Sequence, residues 1–305
     1  MKIATSALAV LAAGFITTMS MPAGAQSIVV DMKGPGAGNP FWAAVERGAL
    51  DKGKELGVEV VVLAPPTESD VAAQISQIED QLAKGIKGLV LAPTDPNALA
   101  PVVDEAVADG VPVVFIDTKG SNEGITYIGT DNEAGAALAA KYICENVPPG
   151  SEVALITGIV TQSTGKARAD GGRSGLSGCG LKIVAEQTGE WDRAKGLAVM
   201  ENIITGNPNI AAVFASNDNM ALGATEALKS AGLLDKVMVV GFDANPDAAQ
   251  SILAGEMRAS VAQNPANMGA FGVESVLKLG KGEQVPPVID TGTVLVTKDN
   301  AGEYK

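Results

Sequence analysis

The segments Ala211-Ala212-Val213-Phe214-Ala215-Ser216-Asn217-Asp218 and Val237-Met238-Val239-Val240-Gly241-Phe242-Asp243 decide the fold, because each is an apolar run that ends in polar residues. A buried strand of a parallel sheet has such a continuous apolar sequence. Ligands of open α/β sheets bind at the carboxyl ends of the strands. Asn217 and Asp243 are therefore placed where a binding or catalytic site is expected.

The same pattern recurs along the chain in two sets of four apolar runs. The runs begin near Ile28, Val58, Leu89 and Val111, and then near Val153, Ile183, Ala211 and Val237. Helical patterns lie between them, as over residues 41–56, 71–83 and 220–231. Strands that alternate with helices predict parallel sheets built from βαβ units. The similar spacing in the two sets predicts an α/β protein with two doubly wound, Rossmann-like domains.

The length of 305 residues exceeds what a single hydrophobic core usually organises. We expect a signal peptide over residues 1–25, an N-terminal lobe formed by residues 26–131 plus 264–290, and a C-terminal lobe formed by residues 132–263 plus 291–305. No long linker is present. Three short crossing strands, around residues 129–131, 261–263 and 290–291, are therefore expected to join the lobes as a hinge.

The first residues have the composition of a secretory signal. Lys2 supplies a positive charge, an apolar stretch over residues 7–17 follows, and Ala23-Gly24-Ala25 provides a cleavage site with small residues. The apolar stretch is too short for a membrane-spanning helix. A buried N-terminal helix is the alternative interpretation. We expect an exported, periplasmic protein whose mature chain starts close to Gln26.

Composition excludes several classes of function. The formal net charge of -13 argues against nucleic acid or an anionic membrane as a partner. The chain contains no histidine, so Ser-His-Asp and Cys-His catalysis are impossible. We expect no metal, no cofactor and no catalytic residues. Cys144 and Cys179 can form a disulfide in an exported protein, and the sequence leaves a bridge and two free thiols equally open.

Two tryptophans and several polar side chains point to a carbohydrate site. Trp42 begins a helix and Trp191 follows a strand, and they are the only two tryptophans of the chain. An indole ring can stack on the apolar face of a sugar, whose hydroxyls then need polar partners at the edge. Such partners are available near strand ends and crossing strands, namely Asn39, Asp117, Arg168, Asn217, Asp243 and Gln263. For any single one of them, and in particular for Asp218, a helix N-cap or a solvated loop is the simpler interpretation.

Two other kinds of site fit the sequence less well. The glycine-rich loop over residues 33–39 has only part of the dinucleotide fingerprint, because Asn39 stands where the third glycine belongs and bulky residues follow it. Lys33 and Asn39 are instead expected to point into a cleft. A pair of carboxylates could serve as the acid and base of a glycosidase, although nothing in the sequence indicates the raised pKa that such an enzyme needs.

The order of these motifs resembles that of periplasmic sugar-binding proteins of the ribose-binding type, over essentially the whole mature chain. The motifs that carry the resemblance are Asn39-Pro40-Phe41-Trp42, Asp117, Arg168-Ala169-Asp170-Gly171, Trp191-Asp192-Arg193, Ala215-Ser216-Asn217-Asp218, Val239-Val240-Gly241-Phe242-Asp243 and Ala262-Gln263-Asn264-Pro265. Lys33, Trp42 and Trp191 make the chain most similar to the branch that binds D-allose. The residue after Asp117 is an arginine in ribose binders and an acid in the allose binder, whereas here it is Thr118, which leaves the identity of the sugar open.

The resemblance implies a periplasmic binding protein of type I, a monomer that serves a sugar ABC importer. Its partners would be a monosaccharide such as an allose-like hexose, a ketose or ribose, the membrane permease subunits and, optionally, a chemotaxis receptor. It implies a sugar site formed by Lys33, Asn39, Phe41, Trp42, Asp117, Thr118, Arg168, Trp191, Asn217, Asp243 and Gln263. The alternatives are a chemoreceptor ligand protein, a glycoside-processing enzyme and a sugar-responsive repressor, although a repressor would have a helix-turn-helix module where this chain has its signal sequence.

Overall fold

The computed structural model describes residues 27–305, so the predicted signal peptide over residues 1–25 lies outside the described residues. The strands are β1 (Ile28–Asp31), β2 (Val60–Leu63), β3 (Gly88–Leu91), β4 (Val113–Ile116), β5 (Thr126–Gly129), β6 (Glu152–Thr157), β7 (Lys182–Thr188), β8 (Ala212–Ala215), β9 (Met238–Asp243), β10 (Ala259–Ala262), β11 (Val288–Asp290) and β12 (Val294–Val296). The helices are α1 (Pro40–Leu56), α2 (Val71–Ala83), α3 (Ala100–Ala108), α4 (Asn132–Asn146), α5 (Ser163–Gly178), α6 (Arg193–Gly206), α7 (Asp218–Ser230), α8 (Pro246–Ala254) and α9 (Pro265–Gly280), and a 3₁₀ turn (Ala301–Tyr304) follows β12. Over residues 27–305, no helix has both the length and the apolar character that crossing a bilayer requires.

The strands form two sheets of the same design. The first has the order β2-β1-β3-β4-β5-β11 and the second the order β7-β6-β8-β9-β10-β12. All neighbouring strands of the first sheet are parallel, which confirms the predicted α/β class. The second sheet departs from the prediction at one edge, because β12 runs antiparallel to β10. The reason is topological: β10 ends where the chain crosses to the first sheet, whereas β12 begins where the chain crosses back, so the two strands run in opposite directions.

The chain passes between the two sheets three times. It leaves the first sheet after β5 for α4, returns from β10 to α9, and crosses again between β11 and β12. These are the places where the sequence predicts hinge strands. The crossings are tied to one another, since Thr130 Oγ1 donates to Gln263 Oε1 over 2.8 Å and Asn264 Nδ2 donates to Thr291 O over 2.6 Å.

Burial explains why the apolar runs become the central strands. Val29, Val30, Phe214 and Val240 are fully buried, and apolar side chains pack on both faces of each sheet. The helices that follow the strands place their amino ends at the strand ends. Asn39, for example, caps α1 by accepting a hydrogen bond from the backbone N–H of Phe41 over 3.2 Å. The carboxyl edge of each sheet thus collects strand ends and helix starts on one side.

The two cysteines form a disulfide. Cys144 in α4 and Cys179 at the end of α5 are bonded at an S–S distance of 2.03 Å. Both helices pack against each other in the second lobe. The structure therefore decides between the two states that the sequence left open.

Candidate functional site

A buried cavity lies between the carboxyl ends of the two sheets. Its volume is no more than about 300 Å³, at the lower end of the usual range for small-molecule sites. Its walls are formed by Lys33, Asn39, Phe41, Trp42, Glu68, Asp117, Thr164, Arg168, Trp191, Asn217, Asp243 and Gln263. Ten of the eleven residues that the sequence predicts for the site are in this set. The eleventh, Thr118, is fully buried directly behind the wall.

The first tryptophan is positioned by the start of α1. Asn39 caps the helix and Pro40 is its first residue, so Phe41 and Trp42 project from the first turn. Their rings meet edge to face at a centroid distance of 4.9 Å. The indole Nε1 of Trp42 donates to Glu68 Oε1 over 2.8 Å. The ring is 2% exposed and is fixed by packing on one side and a charge-assisted hydrogen bond on the other.

The second tryptophan is held in a strained loop between β7 and α6. Trp191 has a φ of +68°, a backbone conformation that is rare for residues other than glycine. Its carbonyl accepts from Asn217 Nδ2 over 3.1 Å, and its Nε1 donates to Gln162 Oε1 over 2.8 Å. The ring covers Gly158, where a Cβ would lie 2.1 Å from the indole, so a larger residue there would displace it. The surrounding structure thus fixes the ring in its position.

Lys33 brings a buried positive charge between the two indoles. Its Nζ lies 2.9 Å from Asp117 Oδ2 and donates to Thr118 Oγ1 over 2.8 Å. The same nitrogen is 5.7 Å from the Trp42 ring centroid and 5.5 Å from that of Trp191, within the range of cation–π attraction. The lysine is only 3% exposed, so these partners replace its lost hydration.

Arg168 supplies the corresponding charge from the second lobe. Its Nε donates to Asn132 Oδ1 over 2.7 Å and its Nη1 donates to the Ser216 carbonyl over 2.8 Å. The guanidinium lies over the Phe242 ring at 3.8 Å from the centroid, and Nη1 is 3.5 Å from Asp243 Oδ1. Because the guanidinium has five donors, it retains donors for a ligand in the cavity.

Asp243 and Gln263 connect the cavity to the hinge. Gln263 Nε2 donates to Asp243 Oδ1 over 2.6 Å, and Gln263 Oε1 accepts from Thr130 in the first crossing segment. Burial raises the pKa of Asp243 to about 7, although the nearby Arg168 and the Gln263 hydrogen bond lower it. Burial also raises the pKa of Glu68 above its ordinary range. The pKa values of both carboxyls therefore depend on the groups that a ligand would bring into the cavity.

The expectation that Asp218 is an N-cap or lies in a solvated loop is wrong. Asn217 is the cap of α7, since its Oδ1 accepts from Met220 N over 2.9 Å. Asp218 is the first helical residue and is fully buried, where its carboxylate accepts from Asn245 N over 2.7 Å and from Ser260 Oγ over 2.6 Å. Burial, together with the Asp243 carboxylate, raises its pKa well above the ordinary value. Asp218 therefore braces the loop after β9 from behind the site.

Three residues near the cavity were missed by sequence reasoning. Glu68 lies in the loop after β2, and Gln162 and Thr164 lie at the junction of β6 and α5. All three follow the carboxyl end of a strand, so the rule that identified Asn217 and Asp243 also applies to them. The sequence does not show where each loop begins and ends, and the length of the loop decides whether a side chain reaches the cavity.

The arrangement is suited to binding a small polar molecule with apolar faces. Two indole rings provide flat apolar surfaces, and carboxyls, cations and amides line much of the remaining wall. Within residues 27–305, no group of three or more acidic, cysteine or histidine side chains is placed to hold a metal ion. The chemistry on offer is hydrogen bonding and stacking.

Proteins with similar sequences and structures include sugar-binding and solute-binding proteins of the periplasm. The chain matches the family described as "Periplasmic binding protein domain" over residues 30–284. It is 35% identical over 300 residues to the ribose import binding protein of Escherichia coli strain K12, covering 97% of this chain and 98% of that protein. It is 36% identical over 277 residues to the D-allose-binding periplasmic protein of the same strain, covering 88% and 86%. The crystal structure of an ABC transporter periplasmic solute-binding protein from Actinobacillus succinogenes 130z with bound D-allose has a TM-score of 0.86 at 30% identity, covering 91% of this chain and 99% of that one.

Proposed function

The chain belongs to the periplasmic binding protein domain family, and we propose that it binds one monosaccharide between its two lobes for a sugar ABC importer. It is a binding protein and not an enzyme, as are the relatives named for import and for allose binding. The observation that carries the proposal is the pair of indoles, one from each lobe, on a buried cavity edged by charged and amide groups.

The family places the protein outside the cytoplasm, with membrane permease subunits as partners. In addition, we propose that residues 1–25 are a cleaved signal peptide and that the mature protein is a monomer. The lobes are taken as residues 26–131 plus 264–290 and residues 132–263 plus 291–305. The three crossings between the sheets support this division, since each lies at or next to a proposed boundary.

The size and polarity of the cavity favour a single sugar ring. A volume of no more than about 300 Å³ leaves no space for an oligosaccharide. The opposite charges of Lys33 and Asp117, and of Arg168 and Asp243, offer donors and acceptors side by side, as vicinal hydroxyls require. Charged or strongly apolar ligands would leave some of these groups buried without partners, at a cost of about 1–3 kcal/mol each.

Allose-like hexoses and ribose are the first candidates. The names of two relatives specify ribose and D-allose. Trp42, Trp191 and Lys33 are the residues on which the resemblance to the allose-binding branch rests. Thr118 stands where the resemblance implies an arginine in ribose binders and an acid in the allose binder. It accepts a hydrogen bond from Lys33 and donates one to Asp117 Oδ2 over 2.8 Å, so it orients the charged pair without touching the cavity. Sugar preference is therefore expected to depend on the orientation of the Lys33 and Asp117 side chains.

A calorimetric titration of the mature protein tests the proposal. D-allose, D-ribose and other free aldoses and ketoses form the test panel, with glycine, AMP and maltose as controls. We expect at least one monosaccharide to bind with a micromolar or lower Kd and to raise the melting temperature, since a ligand of the native state stabilises it by about 2.7 kcal/mol at a hundredfold excess over Kd. Binding of a control ligand, together with no detectable binding of any monosaccharide, would refute the proposal.

A further inference from the structure

Gln162 occupies a helix N-cap position without capping the helix. It precedes α5 and its backbone is extended, yet its side chain makes no hydrogen bond to the first turn. N-caps are usually short side chains that bond to the helix they begin. The longer Gln162 side chain instead reaches out of its own lobe, and it is fully buried there.

All four hydrogen-bonding positions of this amide are used. The Nε2 group donates to the carbonyls of Glu68 and Thr94, each over 3.0 Å, and both carbonyls belong to the first lobe. The Oε1 atom accepts from Lys33 Nζ over 3.0 Å and from Trp191 Nε1 over 2.8 Å. Only Trp191 is in the same lobe as Gln162. Separation of the lobes would therefore break three of the four bonds.

The next two residues of the same segment also bridge the lobes. Ser163 Oγ accepts from the backbone N–H of Lys119 over 2.9 Å and donates to its carbonyl over 3.2 Å. Thr164 Oγ1 lies 3.1 Å from Thr118 Oγ1. Residues 162–164, which we call the clasp, thus dock onto loops of the opposite lobe. Gln162 accepts from both Lys33 and Trp191, which line the cavity, whereas Thr164 Oγ1 accepts from Lys33 alone, over 3.5 Å.

We propose that Gln162 is a positioning residue that holds the two lobes closed and thereby sets how long a bound sugar stays. It does not line the cavity, and its bonds to the two backbone carbonyls form only when the lobes meet. The hydrogen bonds that its Oε1 accepts from Lys33 and Trp191 link the clasp to the groups that face the ligand. The part of this inference that concerns the bound sugar rests on the proposed function. The part that concerns contact between the lobes does not need a ligand.

The first experiment measures dissociation kinetics. Gln162→Glu keeps the size and the acceptor oxygen toward Lys33 and Trp191, but a carboxylate cannot donate to the two carbonyls. Gln162→Met removes donor and acceptor together and shows whether the added charge alone is responsible. Gln187→Glu, on the exposed face of β7 in the same lobe, is the matched control. Stopped-flow tryptophan fluorescence with D-allose should give a dissociation rate raised at least tenfold in both Gln162 variants, an association rate changed less than threefold, and no change in the control.

The second experiment needs no sugar. Lys119→Cys and Ser163→Cys place two thiols at a contact that exists only between closed lobes, and the rate of cross-linking reports how often the lobes meet. Adding Gln162→Glu to this pair should slow cross-linking at least fivefold. If no monosaccharide binds the wild-type chain, the proposed function fails while this measurement still tests the clasp.

Unchanged cross-linking would overturn the proposal whatever happens to affinity, because the loss of affinity would then come from displaced cavity side chains. An unchanged dissociation rate in a protein that binds D-allose would overturn it as well. Gln162 faces water when the lobes are apart, so the variants are expected to fold. A melting temperature of the sugar-free protein within a few degrees of wild type verifies this.

Discussion

Asp31, at the carboxyl end of β1, is a buried carboxyl that the binding site does not use. It is fully buried, and its Oδ1 accepts from Gln74 Nε2 over 3.0 Å while Oδ2 has no hydrogen-bond partner. Burial raises its pKa from 3.8 to about 7, although the Gln74 hydrogen bond lowers it. Replacing Asp31 by asparagine keeps the shape and the acceptor but removes the charge that is formed above this pH.

The magnitude follows from the difference between the two pKa values. A rise from 3.8 to about 7 is about 3 units, and each unit corresponds to about 1.36 kcal/mol. Between these two pH values the folded state keeps a proton that the unfolded chain releases, so stability falls as pH rises. The contribution is fully present below pH 4 and is lost by about pH 7, and it amounts to about 4 kcal/mol. An asparagine at this position would not titrate, but its amide N–H group would stay without a partner, at a cost of about 1–3 kcal/mol.

Urea unfolding at pH 4.5 and at pH 8 measures this effect as a difference between the variant and the wild type. We expect Asp31→Asn to be neutral or destabilising at pH 4.5 and stabilising by about 1–3 kcal/mol at pH 8. Other carboxyls with raised pKa values cancel in the difference. Asp51→Asn, on the exposed face of α1, is the matched control for the substitution. A difference between Asp31→Asn and wild type that stays constant from pH 4.5 to pH 8 would refute the reasoning.

Three further predictions concern the site and the second lobe. Trp191→Ala should weaken sugar binding at least tenfold in calorimetry, since aromatic contacts are worth about 1–3 kcal/mol, and an unchanged Kd would assign the ring to the core. Asp243→Ala should weaken sugar binding at least tenfold. Asp218→Ala should leave Kd unchanged but lower the unfolding free energy by about 2–4 kcal/mol, because two buried donors lose their acceptor. Equal losses of binding in the two variants would contradict these roles. Replacing Cys144 and Cys179 by serine should cost about 2–4 kcal/mol in chemical denaturation without affecting Kd, and a variant as stable as wild type would show that the bridge is dispensable.

The fold could be predicted because buried parallel strands leave a strong local pattern. Apolar runs that begin near Ile28, Leu89 and Val153 become β1, β3 and β6, whose first residues differ from these by at most one position. The helix expected over residues 71–83 has these same bounds. The antiparallel edge strand β12 could not be predicted in the same way, because its direction depends on where the chain crosses between the two sheets and not on its own sequence.

The site could be predicted only as far as each group follows a strand directly. Asp117 and Asp243 come at the ends of apolar runs, and both reach the cavity. Asp218 also follows such a run, but the start of α7 turns it away from the cavity and into the lobe. Gln162 stands five residues beyond the end of β6, and its position is set by contacts with the opposite lobe. Interactions between the lobes therefore form the part of the site that a sequence pattern does not contain.

The energetics of binding a small sugar indicate which parts of this protein set affinity and which set selectivity. A hexose has about twelve non-hydrogen atoms, and a micromolar Kd corresponds to about 8 kcal/mol. Binding must then supply about 0.7 kcal/mol per atom, well above the roughly 0.3 kcal/mol typical of larger ligands. Such efficiency requires side chains that are already ordered, as Arg168 is by Asn132 and Ser216, and contacts from both lobes at once. A change in the clasp or the hinge should therefore alter the Kd of every sugar by a similar factor, whereas a change at Asp117 should alter the ratio between sugars.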